Sequence, residues 1–216
     1  LAQLTMQNMA AYIYPDYYNN ADAAAISTIM MMVGMVAAAI FAKPLAKKFG
    51  KAEVSIVSNL FAAVVMVIIW IIRPQSVWVY CGMQMLCWLG LGIFSMVSWA
   101  LITDVIDYSE LKNGIREDGS VYAMYSFARK LGQSLAAGLS GWLLEHLVGY
   151  DELAAMEGLR QSESVLNGIF NISTLIPAIG FALLTLVLWL WYPLHKKQVD
   201  ANIKALAEKH GRDIAE

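Results

Sequence analysis

Tyr122, Ser126, Arg129 and Gln133 follow one another at intervals of 4, 3 and 4 residues, which places them on one face of a helix. Lys130 stands one turn beyond Ser126, beside the same line. The set offers phenol, hydroxyl, guanidinium, ammonium and amide groups, enough to hydrogen-bond a polar solute from several directions. Upstream, Gln84, Trp88, Gly92, Ser95 and Trp99 recur at intervals of 4, 4, 3 and 4. An indole face stacks on the apolar face of a sugar ring while amides and hydroxyls bond the ring hydroxyls. The same tryptophans also suit helix packing or a membrane interface. Between the two lines, Asp104, Asp107, Glu110, Lys112, Arg116, Glu117 and Asp118 crowd charge into a short stretch.

The elements that must position these residues are membrane helices. Of the 216 residues, 59% are hydrophobic and 15% charged, against roughly 25% charged in soluble domains. Val54 to Ile72 is nineteen residues without a charge, and a bilayer core needs about 20 helical residues. The expected fold is an all-α integral membrane bundle over residues 1–192, followed by a polar tail over 193–216. Six spans are read: the end of a first helix at Leu1–Tyr14, then Ala23–Ala42, Val54–Ile72, Val77 to about Thr103, about Val121 to Val148, and Val165 to about Trp191. The first segment is too short to span, so the chain is expected to begin inside a helix. Lys43, Lys47, Lys48 and Lys51 are read as a basic loop, and Asp104 to Gly119 as a solvated one.

Basic residues set the orientation. The loops after the second and fourth spans, with the tail, hold eleven, among them Lys112, Arg116, Lys196 and Arg212; the opposite loops hold two, Arg73 and Arg160. The tail and the charged stretch are therefore expected in the cytoplasm. In the tail, Val199, Ile203 and Leu206 share one helical face, which suits lying against the bundle and equally a plain solvated helix.

Lys130 falls nine residues into the fifth span, about 13 Å of helix. Arg129 and Lys130 could snorkel to the surface from that depth. A whole polar stripe facing lipid would be costly, so it is read as lining a cavity. Ser134 with Gly138, and Ala137 with Gly141, form small-residue pairs suited to close helix packing. Asn167, Asn171 and Thr174 are read as packing residues, and Pro177 as a kink or gating point.

No enzyme is expected. His146, His195 and His210 are scattered, and Cys81 and Cys87 lie six residues apart, turned about 240° around a helix, so they read as unpaired buried thiols. No cluster has metal-ligand spacing and no phosphate-binding loop is present. The lysines are accounted for by orientation, which leaves no basic patch for nucleic acid.

The run DVIDYSELKNGIREDGSVYAMYSFARKLGQ, Asp104 to Gln133, resembles the loop and following helix of the glycoside–pentoside–hexuronide:cation symporters, melibiose-permease-like members of the major facilitator superfamily. The loop Pro44 to Lys51 is similar to the basic loop of that superfamily, and the spans match in length and order. The resemblance implies the C-terminal half of a twelve-helix transporter of the inner membrane, helices seven to twelve. It also implies a sugar or glycoside substrate, an N-terminal six-helix half as partner and membrane lipids around both. No cofactor is implied beyond a coupling cation, Na⁺ or H⁺, as co-substrate. By the same resemblance Asp104, Asp107, Glu110, Lys112 and Arg116 belong to a cytoplasmic gate, and Lys130 lies near the sugar and cation sites. Ser126 falls at a hydroxyl position linked to cation coupling, and the family's helix-ten aromatic aligns near Ser95. The substrate set is thus Trp88, Ser95, Trp99, Tyr122, Ser126, Arg129, Lys130 and Gln133, with Ser126 and Lys130 also expected in coupling. The other readings are a lysolipid or amphiphile carrier of the same fold, and a receptor or assembly fragment without transport.

Overall fold

The computed structural model describes residues 1–210. The last six residues of the tail, Arg212 among them, lie outside the described residues. Among the described residues eight α-helices follow in chain order: α1 (Ala2–Tyr12), α2 (Asp22–Phe49), α3 (Lys51–Ile72), α4 (Val77–Asn113), α5 (Asp118–Trp142), α6 (Glu152–Met156), α7 (Glu163–Leu190) and α8 (Lys196–His210). Wide helical turns at Ile13–Tyr17 and Leu143–Val148 extend α1 and α5. No strand occurs among the described residues. By length and composition α2, α3, α4 and α7 can each cross a membrane, and the chain is a multi-pass membrane protein. α5 has the length of a span but carries too much polarity along one side to be recognised by hydropathy.

Two segments read as loops are helical. α2 runs through Pro44 and the lysines as far as Phe49, and the turn to α3 is Gly50 alone, at φ 106°. A side chain there would collide with Glu53 and with the Lys196 Cβ. α4 likewise continues past Thr103 to Asn113, where Gly114 at φ 80° stops it by donating its N–H to the Glu110 carbonyl. With 37 residues, α4 is about 55 Å long against a hydrocarbon core of about 30 Å, so its last turns project from the membrane. Hydropathy marks where a helix leaves lipid and carries no information on where its backbone hydrogen bonds end.

α4 is wedged between α2 and α3. Gly90 and Gly92 are two residues apart and open opposite sides of α4. A Cβ at Gly90 would lie 2.7 Å from the Ser58 carbonyl of α3, and one at Gly92 2.6 Å from the Ala38 Cβ of α2. α3 also packs along α7, and α1 lies against α7. The α3–α7 contact is clamped by Arg73, which donates to Asn167 and Asn171 at 2.7 Å each, while the Trp70 indole donates to Asn171 at 3.1 Å. Pro177 is buried inside an unbroken α7. The core among these helices holds Met9, Met66, Ile69, Tyr80, Ile169 and Phe170.

α5 is held lightly, with only Ala136 and Ser140 buried. Ser140 accepts from Asn8 of α1 at 3.4 Å. A side chain at Gly138 or Gly141, expected to pack closely, would meet no neighbouring helix within 4 Å. The neighbour α1 meets α5 at Ala136 and Ser140, a different edge of the helix. At the other end of the bundle α8 folds back over the α2–α3 turn and the tip of α4. Asn202 is buried in that contact and Leu206 partly so, whereas Ile203 faces outward at 46% exposure.

Gly34 of α2 tests the wedge, since a Cβ there would sit 2.8 Å from the Met85 carbonyl of α4. Gly34→Val is expected to destabilise the bundle by about 1–3 kcal/mol. Gly138→Ala, in open space, is expected to be neutral or slightly stabilising. Thermal melting of the detergent-solubilised protein followed by size-exclusion checks both.

Candidate solute-binding cleft and charged end

The α5 stripe continues further than its polar residues. Tyr122, Ser126, Arg129, Gln133, Ala136 and Ser140 follow at intervals of 4, 3, 4, 3 and 4, one line along the helix. Both ends of the line are engaged. Tyr122 lies 6.5 Å from the Trp99 ring of α4, and Tyr125 packs edge-on to the same indole at 5.3 Å. Ala136 and Ser140 meet α1 at the other end. The residues between, Ser126, Arg129 and Gln133, are exposed, as is Lys130, and none forms a hydrogen bond or ion pair among the described residues. The stripe is therefore an open face between its contacts with α4 and α1, the candidate wall of a cleft. The opposite side of α5 carries Met124, Phe127, Leu131 and Leu135, all exposed and apolar, which suits lipid.

The line on α4 is divided. Trp99, 49% exposed, joins the α5 tyrosines. Gln84 and Trp88 are buried beside α1 and α2, and Gly92 is the contact point with α2. Ser95 is half-buried between the two groups. Tyr125, one residue off the stripe, was not singled out by spacing; its neighbour Tyr122 and the exposed Trp99 were the available signal.

The charged residues at the end of α4 pair within the chain. Asp104, 4% exposed, receives Lys51 of α3 at 2.5 Å, and its second oxygen has no partner among the described residues. Arg116 reaches Asp107 at 2.9 Å, Glu110 at 3.1 Å and Asp118 at 3.1 Å, and these hydrogen bonds raise the guanidinium pKa above its ordinary value. Glu110 is buried beneath α8, with the His210 Nε2 at 2.7 Å and the Lys209 Nζ at 3.7 Å. Lys112 is exposed and makes no ion pair among the described residues. On the α3 side, Glu53 accepts the Lys196 backbone N–H at 3.0 Å, and Lys196 Nζ donates to the Lys48 carbonyl at 2.7 Å. The stretch read as solvated is thus partly buried and internally neutralised. The helical interval Asp104, Asp107, Glu110 signals it, because three acids every third residue line one face of a continuing helix.

Residues 1–196 match the family described as MFS/sugar transport protein. The chain is 28% identical to an uncharacterised symporter of Bacillus subtilis over 97% of its own length and 46% of that protein. It is 28% identical to the isoprimeverose transporter of Lactiplantibacillus pentosus over 100% of its length and 43% of that protein. To the glucuronide carrier protein homolog of Escherichia coli it is 28% identical, covering 79% of the chain and 36% of the relative. The chain spans less than half the length of these relatives. It belongs to the MFS/sugar transport protein family, a family of transporters and not of enzymes.

Removing Lys51 strands the buried Asp104 carboxylate. Lys51 is itself 32% exposed, so Lys51→Met is expected to cost about 1–3 kcal/mol, below the figure for a fully buried pair. The double variant Lys51→Met with Asp104→Leu, which removes both charges, is expected to recover most of that loss in the same melting assay.

Proposed function

We propose that this chain is the C-terminal six-helix half of a twelve-helix sugar or glycoside:cation symporter working by alternating access. The observation that carries the reading is the open stretch of the α5 stripe. Ser126, Arg129 and Gln133, with Lys130 beside them, are unpaired between two anchored ends of one line. Polar groups left unpaired at mid-membrane depth call for a polar occupant, which favours a hydroxyl-rich solute over an amphiphile. Trp99, with Tyr122 and Tyr125, supplies an aromatic platform beside it. The names of the relatives, a glucuronide carrier homolog and an isoprimeverose transporter, agree with a glycoside.

In this reading the partner is an N-terminal six-helix half, which closes the cleft from the other side and rocks against this one. Solute and coupling cation, Na⁺ or H⁺, shift the equilibrium between inward and outward forms by their differential affinity. Lys130 and Ser126 would take part in coupling. Asp104, Asp107, Glu110 and Arg116 would set the shape of the cytoplasmic gate mainly through bonds inside this half, leaving Lys112 to reach the other. The protein would lie in the inner membrane with α8 in the cytoplasm, as the distribution of lysine and arginine favours.

Uptake of labelled glycosides into vesicles under Na⁺ or H⁺ gradients tests this, with the chain alone and with its N-terminal half. Uptake is expected only with both halves, and uptake by the chain alone would overturn the half-transporter reading. Lys130→Ala and Arg129→Gln are each expected to lower uptake about 10–100-fold, the range of a lost charged hydrogen bond. Unchanged uptake of every glycoside in Arg129→Gln would remove that residue from the site.

A further inference from the structure

A second cleft opens between α1, α2 and α4, at the end of the bundle away from α8. That end is marked by the α1–α2 and α3–α4 connections, which meet where the Tyr18 hydroxyl donates to the Pro74 carbonyl. The cleft measures about 320 Å³, within the range of small-molecule pockets. Its polar lining comes from Gln7, Tyr14, Ser27, Thr28, Tyr80 and Gln84, and Trp88 supplies an indole wall. Trp88 lies eleven residues before Trp99 on α4, about 16 Å along the helix, and Trp99 belongs to the α5 cleft.

Gln84 is the telling residue. It is 5% exposed, its Nε2 donates to the Tyr80 hydroxyl at 2.8 Å, and its Oε1 has no partner among the described residues. Whichever way the amide is turned, Tyr80 takes one polar atom and the other is left over. Buried polar atoms in folded proteins are nearly always satisfied, and here the unsatisfied one belongs to a residue lining a cavity. Across it, Tyr14, in the wide turn after α1, and Ser27 of α2 share a hydrogen bond of 2.5 Å, which ties two walls together and orients both hydroxyls. Among the described residues, no lysine, arginine, aspartate, glutamate or histidine lines the cleft. Amides, hydroxyls and an indole without a charge match a neutral polyhydroxyl solute about the size of one sugar ring, and disfavour an ion.

We propose that this cleft is a second binding site for a neutral monosaccharide or polyol, separate from the α5 cleft and held by Gln84 and Trp88. It rests on the reading of the chain as half of a sugar carrier. With α8 in the cytoplasm the site opens toward the outside, where it holds solute ahead of the central cleft.

Thr28 lines the cleft and is exposed, whereas Cys81 and Cys87 are buried. Thr28→Cys therefore places a maleimide-reactive thiol at the site in membranes of cells expressing the full-length protein. The probes are D-xylose, D-glucose and methyl glucoside, with D-glucuronate as the charged contrast. At a concentration about four times its Kd, a bound neutral sugar slows labelling about fivefold, and glucuronate protects less. Gln84→Leu, or the less disruptive Gln84→Met, is expected to abolish protection while leaving labelling without sugar unchanged. Lys130→Ala, which disables the central cleft, is expected to leave protection intact. Protection that survives both Gln84 variants but disappears with Lys130→Ala would overturn the second site, because the labelling change would then come from the central one. Sugars that are taken up yet never protect would overturn the second site and leave the transport reading standing. Protection with no uptake of any glycoside would do the reverse.

Discussion

Close approach of helix backbones is the constraint on which this structure depends. Between helices in lipid there is no hydrophobic driving force, so association rests on van der Waals fit and interhelical hydrogen bonds. Gly90 and Gly92 remove side chains from opposite sides of α4, and Gly34 does the same on α2. The glycines let α4 sit between α2 and α3 with backbone and Cβ atoms in contact. Once α4 is seated, its rotation is fixed, and the destinations of its other side chains follow. Gln84 and Trp88 turn toward α1 and α2, while Trp99, one long stretch later, turns toward α5. The parting of these α4 side chains therefore follows from packing at Gly34, Gly90 and Gly92, none of which lines the second cleft.

Charge joins packing at the end of the bundle where α8 lies. There α4 meets α3 and α8, Ile106 is buried, and ion pairs add to the fit. Lys51 joins α3 to α4 through Asp104, Arg116 folds the α4–α5 turn against Asp107 and Glu110, and α8 covers Glu110 from outside. Exposed pairs such as Arg116 with Asp118 contribute little in water. Those with a buried partner matter more, because Asp104 and Glu110 have no water shell to return to if the partner leaves.

The apolar spans were legible from composition because a membrane helix must present a long uncharged surface. The polar stripe on α5 was legible because helical periodicity survives any solvent. Helix ends were not, since the lysines after Ala42 and the acids after Ile102 change the solvent without changing the backbone conformation. The division of the α4 line was hidden for a different reason. Equal spacing proves a shared face, but a helix 37 residues long has different neighbours along its length. Gln84 and Trp99 can share a face and still meet different partners. The role of Lys51 was obscured by its company, as one lysine among four whose sum already explained their presence. The small-residue pairs on α5 show that a packing motif identifies a permissive surface and not the neighbour that occupies it.

α5 is anchored through its aromatic contact with Trp99 near one end and through Ser140 near the other, with little between. Mechanically it is a beam on two supports, and its least restrained segment lies where Arg129 and Lys130 stand. A solute seated in the cleft would act as a third support. Some of its interaction energy would go into stilling that segment before any appeared as affinity. Long basic side chains at such a position keep their rotational freedom until a partner bonds them, and that freedom is what a bound group would have to remove.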